Sequence, residues 1–312
     1  MTTPAIRTIG LSKRFGSTAW ALRGLDLTVE PGEVLGYLGP NGAGKTTTLR
    51  LLLGLLRPTA GSAALFGVDA TRDPVAAHRR VAYVPGEASL WPRLTGAQTL
   101  DYLARLHGGC DTAYRAELID TFALDPDVRV REYSKGNRQK LSLIAALATR
   151  ADLLLLDEPT SGLDPLMEQR FREEIGVARA RGQAVLLSSH ILAEVEALSD
   201  RIAILRAGRL VDVGTLEQMR HLAMVEVEAK FADDPPDLAS VPGVVNAVRS
   251  GQAIRCHVAG PVDALIKALA QHDVVALTIR EPTLEQLFLS HYGDEAQTLS
   301  ETSVRSPTGA HR

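Results

Sequence analysis

The sequence predicts an α/β fold on a mostly parallel sheet, followed by a small α+β domain. Three observations carry that prediction. The first is Gly39-Pro40-Asn41-Gly42-Ala43-Gly44-Lys45-Thr46-Thr47, a G-x-x-x-x-G-K-[ST] loop between a strand-like 33–38 and a helix-like 47–53. The second is a pair of short, largely apolar runs, 152–156 and 184–188, suited to the centre of a parallel sheet. The third is the alternation of strand and helix patterns across residues 1–220.

The elements follow in order. Residues 6–15 and 22–29 read as strands, with a turn near Pro31-Gly32. Residues 61–66 and 80–84 are short strands. From 87 to 149 the reading is mostly helical, over 96–106, 112–122 and 138–148. After the two apolar strands comes a hairpin, 201–205 and 209–213, turned at Ala207-Gly208. The second region, 221–292, reads as strands 224–231 and 244–249, a turn at Ser250-Gly251, strand 253–258, helix 262–270 and strand 274–279. A terminal helix is expected over 283–292, and the whole as a small ferredoxin-like α+β unit. Residues 233–238, with Pro235-Pro236, are too short to assign, and the polar 293–312 is expected to be a disordered tail.

Bulk properties narrow the function. The chain has 312 residues, 45% hydrophobic, enough for a sizeable core. Its net charge of −3 gives no basic signature for nucleic acid. Cys110 and Cys256 lack metal spacing and read as reduced thiols of a cytosolic protein. Residues 1–10 have no apolar core of a secretory signal, and no apolar run nears the ~20 residues a membrane span needs. The chain is expected to be soluble by itself and to meet a membrane only through a partner.

The loop is built for phosphate. Its glycines let backbone N–H groups turn inward without Cβ clashes. Lys45 reaches the outer phosphates, the Thr46 hydroxyl is a Mg²⁺ ligand, and the following helix points its N-terminal dipole at the anion. Downstream, Leu153-Leu154-Leu155-Leu156-Asp157-Glu158 is an apolar strand ending in two carboxylates, where an open α/β sheet binds ligand. Asp157 is suited to hold Mg²⁺ through water, and Glu158 to polarise an attacking water.

With these residues the sequence resembles the ATP-binding subunits of ABC transporters over about 5–220. Phe15 stands where that family stacks an aromatic on adenine, and 39–47 matches the first nucleotide motif. Tyr133-Ser134-Lys135-Gly136-Asn137-Arg138-Gln139 matches the signature, 153–158 the second nucleotide motif, Ser161-Gly162-Leu163-Asp164 the D-loop and His190 the switch histidine. The resemblance implies a P-loop NTPase cassette with a RecA-like core and a helical subdomain at about 87–149. It implies a homodimer that sandwiches two ATPs head to tail. Ser134, Gly136 and Asn137 of one copy would face the γ-phosphate held by the other copy's Lys45. His190 would bond that phosphate, and Asp164 would couple the two sites. Separate transmembrane permease subunits would hold the cassettes at the cytoplasmic face, and no nucleic-acid partner is expected.

Two departures stand out. The signature reads Tyr-Ser-Lys-Gly-Asn rather than Leu-Ser-Gly-Gly-Gln, so Asn137 keeps an amide one methylene shorter. After Tyr83-Val84-Pro85 comes Gly86-Glu87 rather than the family's glutamine; Glu87 either supplies an oxygen toward Mg²⁺ or faces solvent. Both departures, and the ending Glu281-Pro282-Thr283-Leu284-Glu285-Gln286-Leu287-Phe288, are similar to the daunorubicin-resistance branch of exporters. Leu90, Trp91, Pro92 and Leu94 either form part of a groove for the membrane partner or pack internally. Three rival readings remain at this stage: a cassette of DNA repair or translation, a non-hydrolysing regulator, and an importer subunit.

Overall fold

The computed structural model describes residues 2–221 and 224–280, and the chain divides into two compact units, Met1–Gly214 and Thr215–Arg312. The predicted terminal helix at 283–292, the ending 281–288 and the tail 293–312 lie outside the described residues.

In chain order, β1 (Ile6–Phe15) and β2 (Ala19–Val29) come first. β3 (Val34–Leu38) runs into the glycine loop and α1 (Lys45–Leu52). Then follow β4 (Ala60–Leu65), β5 (Val68–Asp69), α2 (Pro74–His78) and β6 (Val81–Val84). Three helices come next, α3 (Gly96–His107), α4 (Thr112–Thr121) and α5 (Lys135–Leu147). The first unit closes with β7 (Leu153–Asp157), α6 (Pro165–Ala180), β8 (Ala184–Ser189), α7 (Leu192–Leu198), β9 (Arg201–Arg206) and β10 (Arg209–Gly214).

These strands form two sheets. The main one has the order β10-β9-β3-β8-β7-β6 and is parallel except for β10 at its edge. The other is antiparallel, in the order β2-β1-β4-β5. The parallel strands of the main sheet are buried on both faces and so are apolar on both sides. Leu153 and Leu155 of β7 serve the core shared with the antiparallel sheet, whereas Leu154 and Leu156 serve the core shared with the helices. Burying these four fully enclosed leucines contributes about 6–12 kcal/mol, an upper estimate.

Several helices differ from the sequence reading, which has neither α2 nor α7, and two of them bear on the site. α5 starts at Lys135, not at 138, because Ser134 caps it: its Oγ accepts the Asn137 N–H at 3.2 Å. α6 is absent from the reading altogether. Its signals are Asp164 as cap, whose Oδ1 accepts the Met167 N–H, and Pro165 in its first turn. Its buried face is Met167, Phe171, Ile175 and Ala178, nearly one residue per turn.

The second unit holds α8 (Leu216–His221), β11 (Val225–Phe231), β12 (Val244–Ser250), β13 (Ala253–Val258), α9 (Asp263–Leu269) and β14 (Val274–Arg280). Its antiparallel sheet has the order β12-β13-β11-β14. This is a ferredoxin-like order in which only the second crossover carries a helix. The first crossover, 232–243, contains Pro235-Pro236, which removes two backbone donors and disfavours helix. Leu265 and Leu269 of α9 pack into a separate small core with Val227, Phe231, Ile254 and Val258.

Candidate active site

The site grows from the end of β3. A Cβ at Gly39 would lie 2.5 Å from the Leu205 carbonyl oxygen, and one at Gly44 would lie 2.4 Å from that of Ala21. Gly44 also has φ 113°, a left-handed conformation that other residues resist. The glycines therefore let the loop sit against neighbouring backbone. The β9–β10 turn braces it from behind: Gly208 N–H donates to Ala43 O at 3.0 Å, and Arg23 N–H donates to Gly208 O at 2.7 Å. No side chain caps α1, which leaves its first N–H groups for an anion.

The loop encloses a cavity of about 140 Å³. Pro40, Asn41, Gly42, Gly44, Lys45, Thr46 and Thr47 line it, with Ala21 and Glu158. Ala43 is buried behind it. Lys45 is buried, and its Nζ donates to Gly39 O at 2.6 Å and to Pro40 O at 3.3 Å. The same nitrogen lies 3.5 Å from Glu158 Oε1. Burial draws the Lys45 pKa below the ordinary lysine value, and the nearby Glu158 and Asp157 carboxylates oppose that shift.

Glu158 occupies the turn beyond β7 with φ 47°, a strained conformation for a non-glycine residue. Its N–H donates to Ser188 O at 3.0 Å, holding the turn against β8. Its Oε1 lies 3.2 Å from His190 Nδ1, so one carboxylate oxygen stands between Lys45 and His190. Asp157 is buried, and its Oδ1 accepts the Ser188 hydroxyl at 2.6 Å. Burial, helped by the Asp157 charge, pushes the Tyr83 phenol up to about 12.

No group of three or more His, Cys, Asp or Glu suited to a metal occurs among the described residues. Mg²⁺ does not need one, since it commonly takes one or two protein oxygens and completes its shell with phosphate and water. Thr46 on the cavity wall and Asp157 at the end of β7 fit that sparse donor set. Glu87 is exposed and does not line the cavity. Phe15 is 46% exposed at the end of β1, with Lys13 Nζ 5.3 Å from its ring centre.

Ser134, Gly136 and Asn137 lie at the start of α5 and do not line this cavity. Gly136 packs instead against the segment after Glu158. A Cβ at Gly136 would lie 2.5 Å from Gly162 O. Gln139 Nε2 donates to Pro159 O at 3.0 Å. Asp164 ends the segment as the cap of α6. Of Leu90, Trp91, Pro92 and Leu94, Leu90 packs against the helical core. Trp91 and Pro92 are exposed, and Trp91 stands edge-on to Tyr102 at 4.7 Å.

Several residues that hold the site together escape the sequence reading. Ser188 bridges Asp157 and Glu158. Glu194, a buried carboxylate on α7, accepts the Thr160 hydroxyl through Oε1 and the Ser189 hydroxyl through Oε2, both at 2.7 Å. It thereby ties the turn that carries Glu158 to the loop that carries His190. Glu194 stands four positions after His190, the one sequence signal that it belongs here.

Comparison with known proteins gives consistent matches. The family profile described as ABC transporter matches residues 22–161. The chain is 37% identical to the daunorubicin resistance ATP-binding protein DrrA3 of Streptomyces coeruleorubidus, across 95% of this chain and 98% of that protein. It is 36% identical to the Nod factor export ATP-binding protein I of Paraburkholderia xenovorans, across 88% of this chain and 92% of that one. A solved structure of the ATP-binding subunit of an ABC transporter superposes with a TM-score of 0.65 at 31% identity, covering 69% of this chain and 92% of that chain.

Proposed function

The chain belongs to the ABC transporter family of ATP-binding subunits, and on that premise we propose that it energises a membrane exporter by hydrolysing ATP to ADP and phosphate. The observation that carries the chemistry is the Glu158 carboxylate, 3.5 Å from Lys45 Nζ and 3.2 Å from His190 Nδ1 at the mouth of the phosphate loop.

The loop N–H groups and Lys45 bind the β- and γ-phosphates, and Phe15 stacks on the adenine. Lys45 leaves the carbonyls of Gly39 and Pro40 to do so, so ATP replaces an internal pair of hydrogen bonds. Thr46 and Asp157 would hold Mg²⁺, with Glu87 the remaining candidate oxygen. When bound, the ion neutralises charge on the phosphate oxygens. Glu158 accepts a proton from the attacking water as its oxygen bonds to the γ-phosphorus and the bond to the β-phosphate oxygen breaks. General-base help of this kind is worth roughly 10²–10⁴ in rate. His190 holds the γ-phosphate in line, so catalysis rests on position and charge.

The cavity lining supports a shared site, because the signature residues lie outside it. Two copies pair head to tail, and Ser134, Gly136 and Asn137 complete the partner's site, with Asp164 coupling the two. No helix among the described residues is long and apolar enough to cross a membrane. Separate permease subunits supply the transport path and hold the pair at the cytoplasmic face. Similarity to a daunorubicin resistance protein and to a Nod factor export protein supports export of a drug-like or lipid-like compound.

Steady-state ATPase of the purified chain, with and without Mg²⁺ and beside Glu158→Gln, is the test. Mg²⁺-dependent turnover that Glu158→Gln loses while still binding ATP is the expected result. Turnover of Glu158→Gln within a few-fold of the parent removes Glu158 from the role.

A further inference from the structure

We propose that Lys135 is a positioning residue that fastens the 159–164 loop to the first turn of α5 within one chain. The two segments then meet the partner copy's nucleotide as a single body. The inference rests on the paired-cassette reading above.

The residue itself is the first observation. Lys135 is the first residue of α5 and stands where the resembling signature has glycine. A cation in the first turn opposes the helix dipole, so the position breaks a local rule without helping the helix. Such breaks concentrate where function requires them.

The contacts supply the requirement. Lys135 Nζ donates to Ser161 Oγ at 2.9 Å, across 26 residues of sequence. Its stem lies over Gly162, where an added Cβ would meet Lys135 Cγ and Cδ at 3.4 Å. The next residue, Gly136, brings its backbone so close to Gly162 O that it has no room for a side chain. One turn further on, Gln139 holds Pro159 O. α5 therefore grips the loop at three points, and Lys135 supplies the grip nearest its tip. Glu158 immediately precedes this loop, so its placement also bears on the catalytic carboxylate. Lys135 does not line the phosphate cavity of its own chain, and the Ser161→Ala arm below separates an effect through the loop from a direct contact of the lysine with the partner's phosphate.

The test uses the full chain with Lys135→Met, Ser161→Ala, the double variant and Lys135→Arg. Each single loss is expected to lower kcat about 3- to 10-fold, the worth of one hydrogen bond, with KM for ATP within about twofold. The double variant should fall no further than the worse single, and Lys135→Arg should recover part of the loss. The Tm of Lys135→Met should be unchanged or higher, since the cation no longer opposes the helix dipole. Fully multiplicative losses, unchanged kcat in both singles, or a Tm that falls with kcat overturn the proposal. Amide hydrogen exchange over 160–164 in the nucleotide-free chain reads the tether without turnover. Faster exchange in both singles supports it, and unchanged exchange overturns it. Absence of Mg²⁺-dependent turnover in the parent would count against the functional reading instead, leaving exchange to decide the tether.

Discussion

Lys45 is a charge held where water is scarce, and its lowered pKa measures what that costs. Between its folded pKa and the ordinary value of 10.5, the unfolded chain binds more protons than the folded one. Stability therefore rises with pH across that window, and the cost is complete below it. Lys45→Met is expected to abolish ATP binding yet raise the Tm of the nucleotide-free protein at neutral pH, by about 2–4 °C for each kcal/mol relieved. Thermal melts from pH 7 upward should show this gap narrowing toward 10.5. Lys45 and Glu158 were legible in the sequence because their motifs are contiguous. Ser188 and Glu194 were not, because their meaning comes from partners about 30 residues away.

Among the elements, α7 is short, but its Glu194 joins the segments that carry Glu158 and His190. Glu194→Ala would leave the buried Thr160 and Ser189 hydroxyls short of a partner, at a cost of about 1–3 kcal/mol. A lower denaturation midpoint together with reduced kcat is expected, and unfolding curves beside ATPase rates check it. Gly136→Ala puts a methyl 2.5 Å from a backbone oxygen, not from a movable side chain. It should lower kcat more than tenfold, measured beside the ATP KM, while barely changing ATP binding. The central strands β7 and β8 were legible because burial on both faces leaves no alternative to an apolar run. α6 was not read, although Asp164 and Pro165 announce it, because its polar face dilutes a stripe of one apolar residue per turn.

At the scale of the whole molecule, the two units have separate cores. A chain ending at Gly214 is therefore expected to melt cooperatively and bind ATP, as calorimetry and nucleotide titration would show. In the full chain, ATP should shift Glu158→Gln from monomer to dimer by light scattering; a monomer at saturating ATP would contradict the shared site. The order of strands also has a consequence for biosynthesis. β3 delivers the nucleotide loop, yet its two neighbours are β8 and β9. At ribosomal rates of about 5–20 residues per second, the roughly 150 residues between β3 and β8 take about 7–30 s to make. Throughout that interval Val34–Leu38 is an apolar segment without a sheet to join. The ATP pocket is thus begun early in translation and finished only once the β9–β10 hairpin has left the ribosome.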